Sequence, residues 1–185
     1  FKYNDKVVYI SPIVSKTDEK NIKDACFETL SHPKLEKDNF TDMIDKDHIL
    51  YVEEKVDRDF VLKAACKQLV NEGYVTKEFY NDVLKRENIE PTAIGNGVAI
   101  PHGMPGNVVK PKVYVISLKH PLNWGGKMVN VMFLLALNFN NITTTKAFFS
   151  DFARIVGSEE KLEKFKKLDN VQKMEQNLKE ELHWK

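Results

Sequence analysis

Cysteine is scarce in this sequence, and so are long apolar runs and any excess of charge of one sign. The two cysteines, Cys26 and Cys66, exclude a disulfide framework and a zinc site built from several cysteines. The longest uninterrupted apolar run, Val131 to Leu137, has seven residues, far short of the roughly 20 needed to span a bilayer. The 28 basic and 27 acidic residues leave a net charge of +1, which gives no global reason to expect nucleic acid or an acidic membrane as a partner. We therefore expect a cytoplasmic protein in a reducing compartment.

The rest of the composition is that of a folded globular chain. The 185 residues are 42% hydrophobic and 30% charged, which is typical of a protein with one good-sized core. Residues 1–33 have the pattern of one strand and one helix, which together cannot bury enough surface to fold independently. Polar residues 34–40 have the pattern of a linker, and residues 41–185 form a complete unit. Because the chain begins with Phe1 and its first unit is incomplete, we expect it to be part of a longer protein.

Helical and strand patterns alternate over residues 41–185. Apolar residues at helical spacing predict five helices, at about 57–72, 76–90, 148–156, 162–165 and 171–182. Apolar runs predict three strands, at 98–100, 113–118 and 129–137. Asp57 is expected to open the first helix, Gly73 to end it and Thr76 to cap the second. Strands interleaved with helices predict an α/β fold in which helices cover a sheet.

The most unusual stretch runs from Pro91 to Gly106, where glycines and prolines surround a short apolar strand. The strand ends at Pro101-His102-Gly103, so an imidazole stands at the C-terminal edge of a sheet, where ligand sites of α/β proteins tend to lie. Prolines fix the backbone, and glycines let another backbone or a ligand approach closely. A neutral imidazole offers one ring nitrogen as a nucleophile. The spacing alone leaves a second interpretation open, a structural histidine that caps the strand.

Other charged and histidine residues give weaker signals. Arg86 ends the helix before this stretch, where its guanidinium could stabilise an anion on His102 or complement the helix dipole. His120 is interpreted as a surface residue at a strand end, and His48, in an acidic stretch, as solvated. No HExxH motif, close His/Asp/Glu cluster or P-loop occurs, so we expect neither a metal site nor a nucleotide site.

The stretch around His102 resembles the signature of a known family. Arg86-Glu87, followed by residues 92–103 (Thr-Ala-Ile-Gly-Asn-Gly-Val-Ala-Ile-Pro-His-Gly), is similar to the motif of the enzyme IIA domain of the fructose/mannitol type. That domain belongs to the phosphoenolpyruvate-dependent sugar phosphotransferase system. The resemblance covers about residues 41–185 and implies a mixed β-sheet flanked by helices.

The resemblance also implies roles for individual residues. His102 is expected to be the phosphorylated nucleophile, which receives phosphate from the phosphocarrier protein HPr and passes it to an enzyme IIB domain. Arg86 is expected to stabilise the phosphohistidine, and Asn96, in the same motif, to help by hydrogen bonding. Phosphoryl transfer of this kind needs no ATP, metal or organic cofactor. The partner surface should be partly apolar, with Met104 and Pro105 as candidates.

One position departs from the family pattern. A second histidine is usual at the start of the helix after the long strand, and it should fall at Thr145. This chain has Thr143-Thr144-Thr145 in that region. A threonine hydroxyl can hydrogen-bond a phosphate, but it cannot tune the charge of the partner imidazole. The resemblance therefore favours slow or regulatory phosphorylation over fast catalytic relay.

Residues 1–33 resemble the last strand and helix of a IIB-like domain. A IIB-like domain joined to a IIA domain is similar to the C-terminal end of phosphotransferase-controlled antiterminators and activators of the mannitol and lichenan operon kind. The first hypothesis is therefore a regulatory phospho-acceptor module whose nucleic-acid-binding region would lie before Phe1. Two alternatives are a transporter enzyme IIA that relays phosphate to enzyme IIB, and a non-phosphorylated interaction module of the same fold.

Overall fold

The computed structural model describes residues 2–3, 6–7, 43–138 and 142–182. The chain divides into two compact units, Phe1–Lys37 and Asp38–Lys185. In the first unit, β1 (Lys2–Tyr3) pairs antiparallel with β2 (Lys6–Val7). The helix predicted before residue 33, the linker and the strand residues beyond Val7 lie outside the described residues. Within the described part of the chain, no helix combines the length and apolar character needed to cross a membrane.

A five-stranded mixed sheet organises the second unit. Its strands are β3 (Ile49–Val52), β4 (Ala93–Gly95), β5 (Val98–Ala99), β6 (Lys112–Trp124) and β7 (Lys127–Ala136). They lie side by side in the order β3-β6-β7-β5-β4. The β3/β6 and β5/β7 pairs are parallel, whereas β6/β7 and β4/β5 are antiparallel. The predicted mixed sheet is confirmed.

Helices cover both faces of this sheet. The helices are α1 (Arg58–Asn71), α2 (Phe79–Ile89), α3 (Ile142–Val156), α4 (Glu159–Lys166) and α5 (Val171–Leu182). In β7, Met132 and Leu134 face a core shared with α1 and α2, while Val131 and Phe133 face a core shared with α3, α4 and α5. A central strand buried on both faces has no polar side, which explains the seven-residue apolar run in the sequence.

Local capping signals set both ends of α1. The side chain of Asp57 accepts a hydrogen bond from the backbone N–H of Phe60 at 2.8 Å. Gly73 follows the helix with φ of +76°, and the N–H groups of Gly73 and Tyr74 donate to Val70 and Leu69 at 3.1 and 2.9 Å. These two bonds are the Schellman pattern, which satisfies the last carbonyl groups of a helix. Both predicted ends of this helix are confirmed.

His48 is buried, so its interpretation as a solvated residue is wrong. It is 3% exposed, and its ring nitrogens lie 2.7 Å from Asp45 Oδ1 and 2.7 Å from Glu72 Oε2. One carboxylate oxygen therefore lies within hydrogen-bond distance of each ring nitrogen. Burial would raise the pKa of Asp45, but hydrogen bonds and charges from Lys112 and His48 outweigh it and lower that pKa to about 2. This cluster joins the start of β3 to the end of α1.

Candidate functional site

The backbone continues the path of β5 up to His102. The N–H of Leu135 in β7 donates to the carbonyl of Pro101 at 2.9 Å, and His102 and Leu135 form an isolated parallel bridge. His102 therefore stands beyond the C-terminal end of β5, held against the central strand. Position at a strand end was predicted from the Pro-His-Gly sequence, and the structure confirms it.

The ring of His102 is half-buried and oriented by its own backbone. Its Nδ1 lies 3.0 Å from the carbonyl oxygen of Ile100. A carbonyl oxygen can only accept, so in the neutral ring the proton of this bond is on Nδ1. The lone pair of the neutral imidazole is then on Nε2, which is the atom available as a nucleophile.

A cavity of about 330 Å³ lies beside this ring. Its lining is mainly apolar and combines the end of β7, the segment around His102 and the start of α3, with Ile100, Leu135, Leu137, Thr145 and Phe149 among its residues. Phe149 is 44% exposed, and Met104, two residues after His102, is 62% exposed. An imidazole next to exposed apolar side chains is suited to a reaction that takes place between two proteins.

Helix α2 supports the segment that follows His102. A side-chain carbon added at Gly103 would lie 2.5 Å from the ring of Phe79, so only glycine allows the backbone to approach this buried ring. Further along, the side-chain amide of Asn107 donates to Asp82 Oδ2 at 2.5 Å. The hydroxyl of Thr76 donates to Asn107 Oδ1 at 2.9 Å. These contacts fix the segment to the start of α2.

The prediction that Thr76 caps α2 is wrong. Helix α2 begins at Phe79, and its N-cap residue Glu78 makes no side-chain capping bond. The hydroxyl of Thr76 is instead used by Asn107, which lies 31 residues away in sequence. A tertiary contact has replaced the local capping bond that the sequence pattern predicted.

The structure brings Thr145 to the same cavity as His102. Thr145 lies in the first turn of α3 and is partly exposed, and both residues line the cavity. The two residues are 43 positions apart in sequence, and the crossing from β7 into α3 brings them together. A hydroxyl and an imidazole therefore face a shared space.

Arg86, unlike Thr145, lies outside the cavity beside His102. It lies in the last turn of α2, where its Nη1 donates to the carbonyl of Glu90 at 2.7 Å, as expected for a cation that complements a helix end. Arg86 is not among the residues that line the cavity. It does lie on the stripe of α2 that includes Phe79 and Asp82, which contact the segment after His102.

The structure does not bring Asn96 to His102. Asn96 lies in the turn between β4 and β5, with φ of +49°, and its carbonyl accepts a hydrogen bond from Lys166 at 2.7 Å. Strand β5 runs from this turn towards His102, so six residues of extended chain, about 20 Å, separate the two. Membership of one motif therefore does not make Asn96 a neighbour of the imidazole.

Sequence reasoning missed Glu87, whose carboxylate is 1% exposed. It accepts hydrogen bonds from the backbone N–H of Thr92 at 3.0 Å, from the hydroxyl of Thr92 and from Trp124 Nε1 at 2.6 Å. The only signal available was its position inside the motif, directly after Arg86. Among the described residues, no group of three or more His, Cys, Asp or Glu side chains could hold a metal ion.

A known family profile covers most of the second unit. The family profile "Phosphoenolpyruvate-dependent sugar phosphotransferase system, EIIA 2" matches residues 42–181. The chain therefore belongs to the EIIA 2 family of that phosphotransferase system. His102, Arg86 and Thr145 all lie within the matched residues.

Curated relatives carry this domain in two settings. Transcriptional regulator ManR of Bacillus subtilis is 25% identical over 167 residues, which are 89% of this chain and 26% of ManR. The mannitol-specific phosphotransferase enzyme IIA component of Halalkalibacterium halodurans is 28% identical over 120 residues, 63% of this chain and 81% of that protein. The chain spans between 17% and 26% of the length of the first three curated relatives it matches.

Solved structures share the fold. In the complex of enzyme IIAMtl and phosphorylated enzyme IIBMtl from Escherichia coli, the matched chain has a TM-score of 0.63 and 20% sequence identity. The match covers 77% of this chain and 98% of that chain. It establishes that the second unit has the architecture of an enzyme IIA domain.

Proposed function

We propose that this chain is the phosphoryl-accepting regulatory part of a carbohydrate-operon transcriptional regulator, phosphorylated on His102 by phospho-HPr. The observation that carries the proposal is the imidazole itself. It stands at a strand end beside an open, mainly apolar cavity, and its Nδ1 is held by the carbonyl of Ile100 at 3.0 Å. The family membership supplies the class of reaction.

The transfer step requires only alignment and charge stabilisation. The Nε2 lone pair of His102 attacks the phosphorus of the phosphohistidine on HPr, a new N–P bond forms, and the N–P bond of the donor breaks. The electron pair of the broken bond returns to the donor imidazole. The proton on Nδ1 of His102 stays in place, and its hydrogen bond to Ile100 stabilises the positive charge that the ring gains.

Two further residues are assigned roles in this step. Thr145 lines the cavity with His102, and its hydroxyl is suited to donate a hydrogen bond to a phosphoryl oxygen. Arg86 would exchange its bond to the neutral Glu90 carbonyl for a bond to the anionic phosphoryl group, which is stronger because both partners are then charged.

The regulatory assignment is supported by one comparison and by one implication of the resemblance. The match to ManR covers 89% of this chain, whereas the family profile covers residues 42–181, so the similarity to a regulator extends into the residues before the domain. The resemblance to enzyme IIA domains also implies a second histidine at position 145 to support rapid relay, and this chain has threonine there. The regulatory signal would then be the fraction of chains phosphorylated on His102, rather than the rate at which phosphate passes through His102 to a further acceptor.

Phosphorylation assays test the proposal directly. The chain is incubated with phosphoenolpyruvate, enzyme I and HPr, and acid-labile phosphate is measured by ³¹P NMR and by gel mobility. His102→Ala should abolish the label, and Arg86→Ala should slow labelling about a hundred-fold, the usual cost of one lost donor to a transferring group. Label that persists at full level in His102→Ala would refute the assignment.

His120→Ala is the matched control. His120 is an exposed histidine in β6 of the same sheet, and this variant should label like the unmodified chain. Expression of the chain in a strain that lacks its own enzyme IIA separates regulator from transporter. Efficient sugar uptake there would contradict the regulatory assignment and favour a transporter component.

A further inference from the structure

Glu87 is a buried carboxylate for which the proposed mechanism has no use. The side chain of this α2 residue is 1% exposed, and burial of a charge is costly unless hydrogen bonds replace its water. Three donors do so, two from Thr92 and one from the indole of Trp124. In the described part of the chain, no ion pair includes Glu87, so these hydrogen bonds hold it.

A short path of hydrogen bonds leads from Glu87 to the imidazole. Thr92, bound to Glu87 by its backbone N–H and its hydroxyl, offers its carbonyl to the N–H of Ile100 at 3.2 Å. The carbonyl of Ile100 in turn holds Nδ1 of His102 at 3.0 Å. Pro101 stands between the last two residues and restricts the backbone there.

We propose that Glu87 is a positioning residue for His102, because it fixes Thr92 and thereby the Ile100 carbonyl that keeps the proton on Nδ1. The inference rests on the proposed function, in which Nε2 is the nucleophile. Without Glu87, Thr92 loses its partner and the carbonyl of Ile100 is no longer fixed. The ring then divides between its two tautomers and orientations, and only part of the population presents a free Nε2.

Hydrogen bonding, rather than charge, is the property that this role requires. A glutamine at position 87 keeps one oxygen for the N–H groups of Thr92 and Trp124, while its amide donates to the hydroxyl of Thr92, which can rotate to accept. A leucine cannot accept a hydrogen bond and leaves these donors without a partner. Glu87→Gln should therefore preserve the function, and Glu87→Leu should lose it.

Trp124→Phe provides the matched control. It removes a donor from the same buried carboxylate, but Trp124 is not part of the path from Glu87 through Thr92 to Ile100. A purely structural role of Glu87 predicts that Trp124→Phe and Glu87→Leu disturb His102 alike. A positioning role predicts that only Glu87→Leu does so, whatever each variant does to the melting temperature.

The experiment reads the tautomer of His102 by long-range ¹H–¹⁵N correlation NMR on the full chain at about pH 8.5, above the ordinary imidazole range. Phosphorylation by phospho-HPr is measured on the same samples. Glu87→Leu should convert a dominant Nδ1–H tautomer into a mixture and slow labelling about ten-fold, within the roughly hundred-fold that a misplacement of about 1 Å costs. Glu87→Gln should label at close to the unmodified rate, and Trp124→Phe should keep the tautomer.

Two results would overturn the inference: an unchanged tautomer in folded Glu87→Leu, or an equal shift in Trp124→Phe. If Glu87→Leu does not fold, Thr92→Val is used in its place. Thr92→Val removes only the hydroxyl that binds Glu87, so it should shift the His102 tautomer in the same direction but to a smaller extent. Equal shifts in Thr92→Val and Trp124→Phe would then overturn the inference. A tautomer shift in a protein that takes no label would support the role of Glu87 while refuting the proposed function.

Discussion

Gly103→Ala tests the contact between the His102 segment and α2. The added carbon would lie 2.5, 2.6 and 3.2 Å from three atoms of the Phe79 ring, against about 3.5–4 Å for carbon atoms in ordinary contact. Phe79 is 0% exposed, so the ring cannot swing into solvent, and either the ring or the backbone at His102 must move by about 1 Å.

Overpacking of this kind costs about 1–3 kcal/mol, and we expect about 2 kcal/mol here because the obstacle is a rigid buried ring. In a domain of this size that corresponds to a fall in melting temperature of about 4–8 °C. Thermal unfolding followed by circular dichroism measures it. Phosphorylation of His102 should slow as well, since the displaced residue adjoins the imidazole.

Gly106→Ala is the control, because nothing lies within 4 Å of the added carbon; its stability should change by less than about 0.5 kcal/mol. Phe79→Leu should partly rescue Gly103→Ala, so that the cost of the double variant is below the sum of the single costs by about 1 kcal/mol. A melting temperature of Gly103→Ala within about 1 °C of the unmodified chain, or fully additive costs, would refute the contact.

Three further predictions concern other residues. The pKa of Asp45 is lowered to about 2 in the folded protein, so the stability it contributes is present above about pH 4 and is lost as the pH falls towards 2. Asp45→Asn, which also removes this carboxylate from buried Lys112, should destabilise the protein by about 1 kcal/mol at pH 7, because the Asp45 side chain is partly exposed and solvent screens its charge. The loss should be smaller near pH 2.5 in urea unfolding, and an equal loss at both pH values would contradict the assignment. Thr145→His should speed phosphoryl transfer from HPr about ten-fold or more in rapid-quench assays, and an unchanged rate would argue against Thr145 facing the phosphoryl group. Burial raises the pKa of Cys66 to about 12, so in a Cys26→Ser background its thiol should react with a disulfide reagent only as fast as the domain opens; immediate reaction would show that the thiol is accessible.

Structural features that depend on residues close together in sequence could be predicted. The ends of α1 follow from Asp57 and Gly73, because capping bonds join residues three to five positions apart. The place of His102 at a strand end follows from the apolar run before it and from its Pro and Gly neighbours. The resemblance to enzyme IIA domains added the class of reaction and the position of Thr145, neither of which spacing alone supplies.

Proximity to the imidazole was not predictable from distance along the chain. Asn96 is six residues from His102, yet an extended strand carries it to the other end of β5. Thr145 is 43 residues away and lines the same cavity. An extended segment separates its ends, whereas the crossing of β7 into α3 brings distant residues together, so nearness depends on topology.

The sequence by itself determined the α/β class, the apolar central strand and the placement of an imidazole at a strand end, at His102. These features depend on composition and on neighbours along the chain. Only the tertiary structure decided which charged groups are buried. Glu87 meets Trp124 across 37 residues, and His48 meets Glu72 across 24. A buried carboxylate or imidazole needs hydrogen-bonding partners. Trp124 and Glu72 come from segments distant in sequence, so the local pattern around Glu87 or His48 does not indicate them.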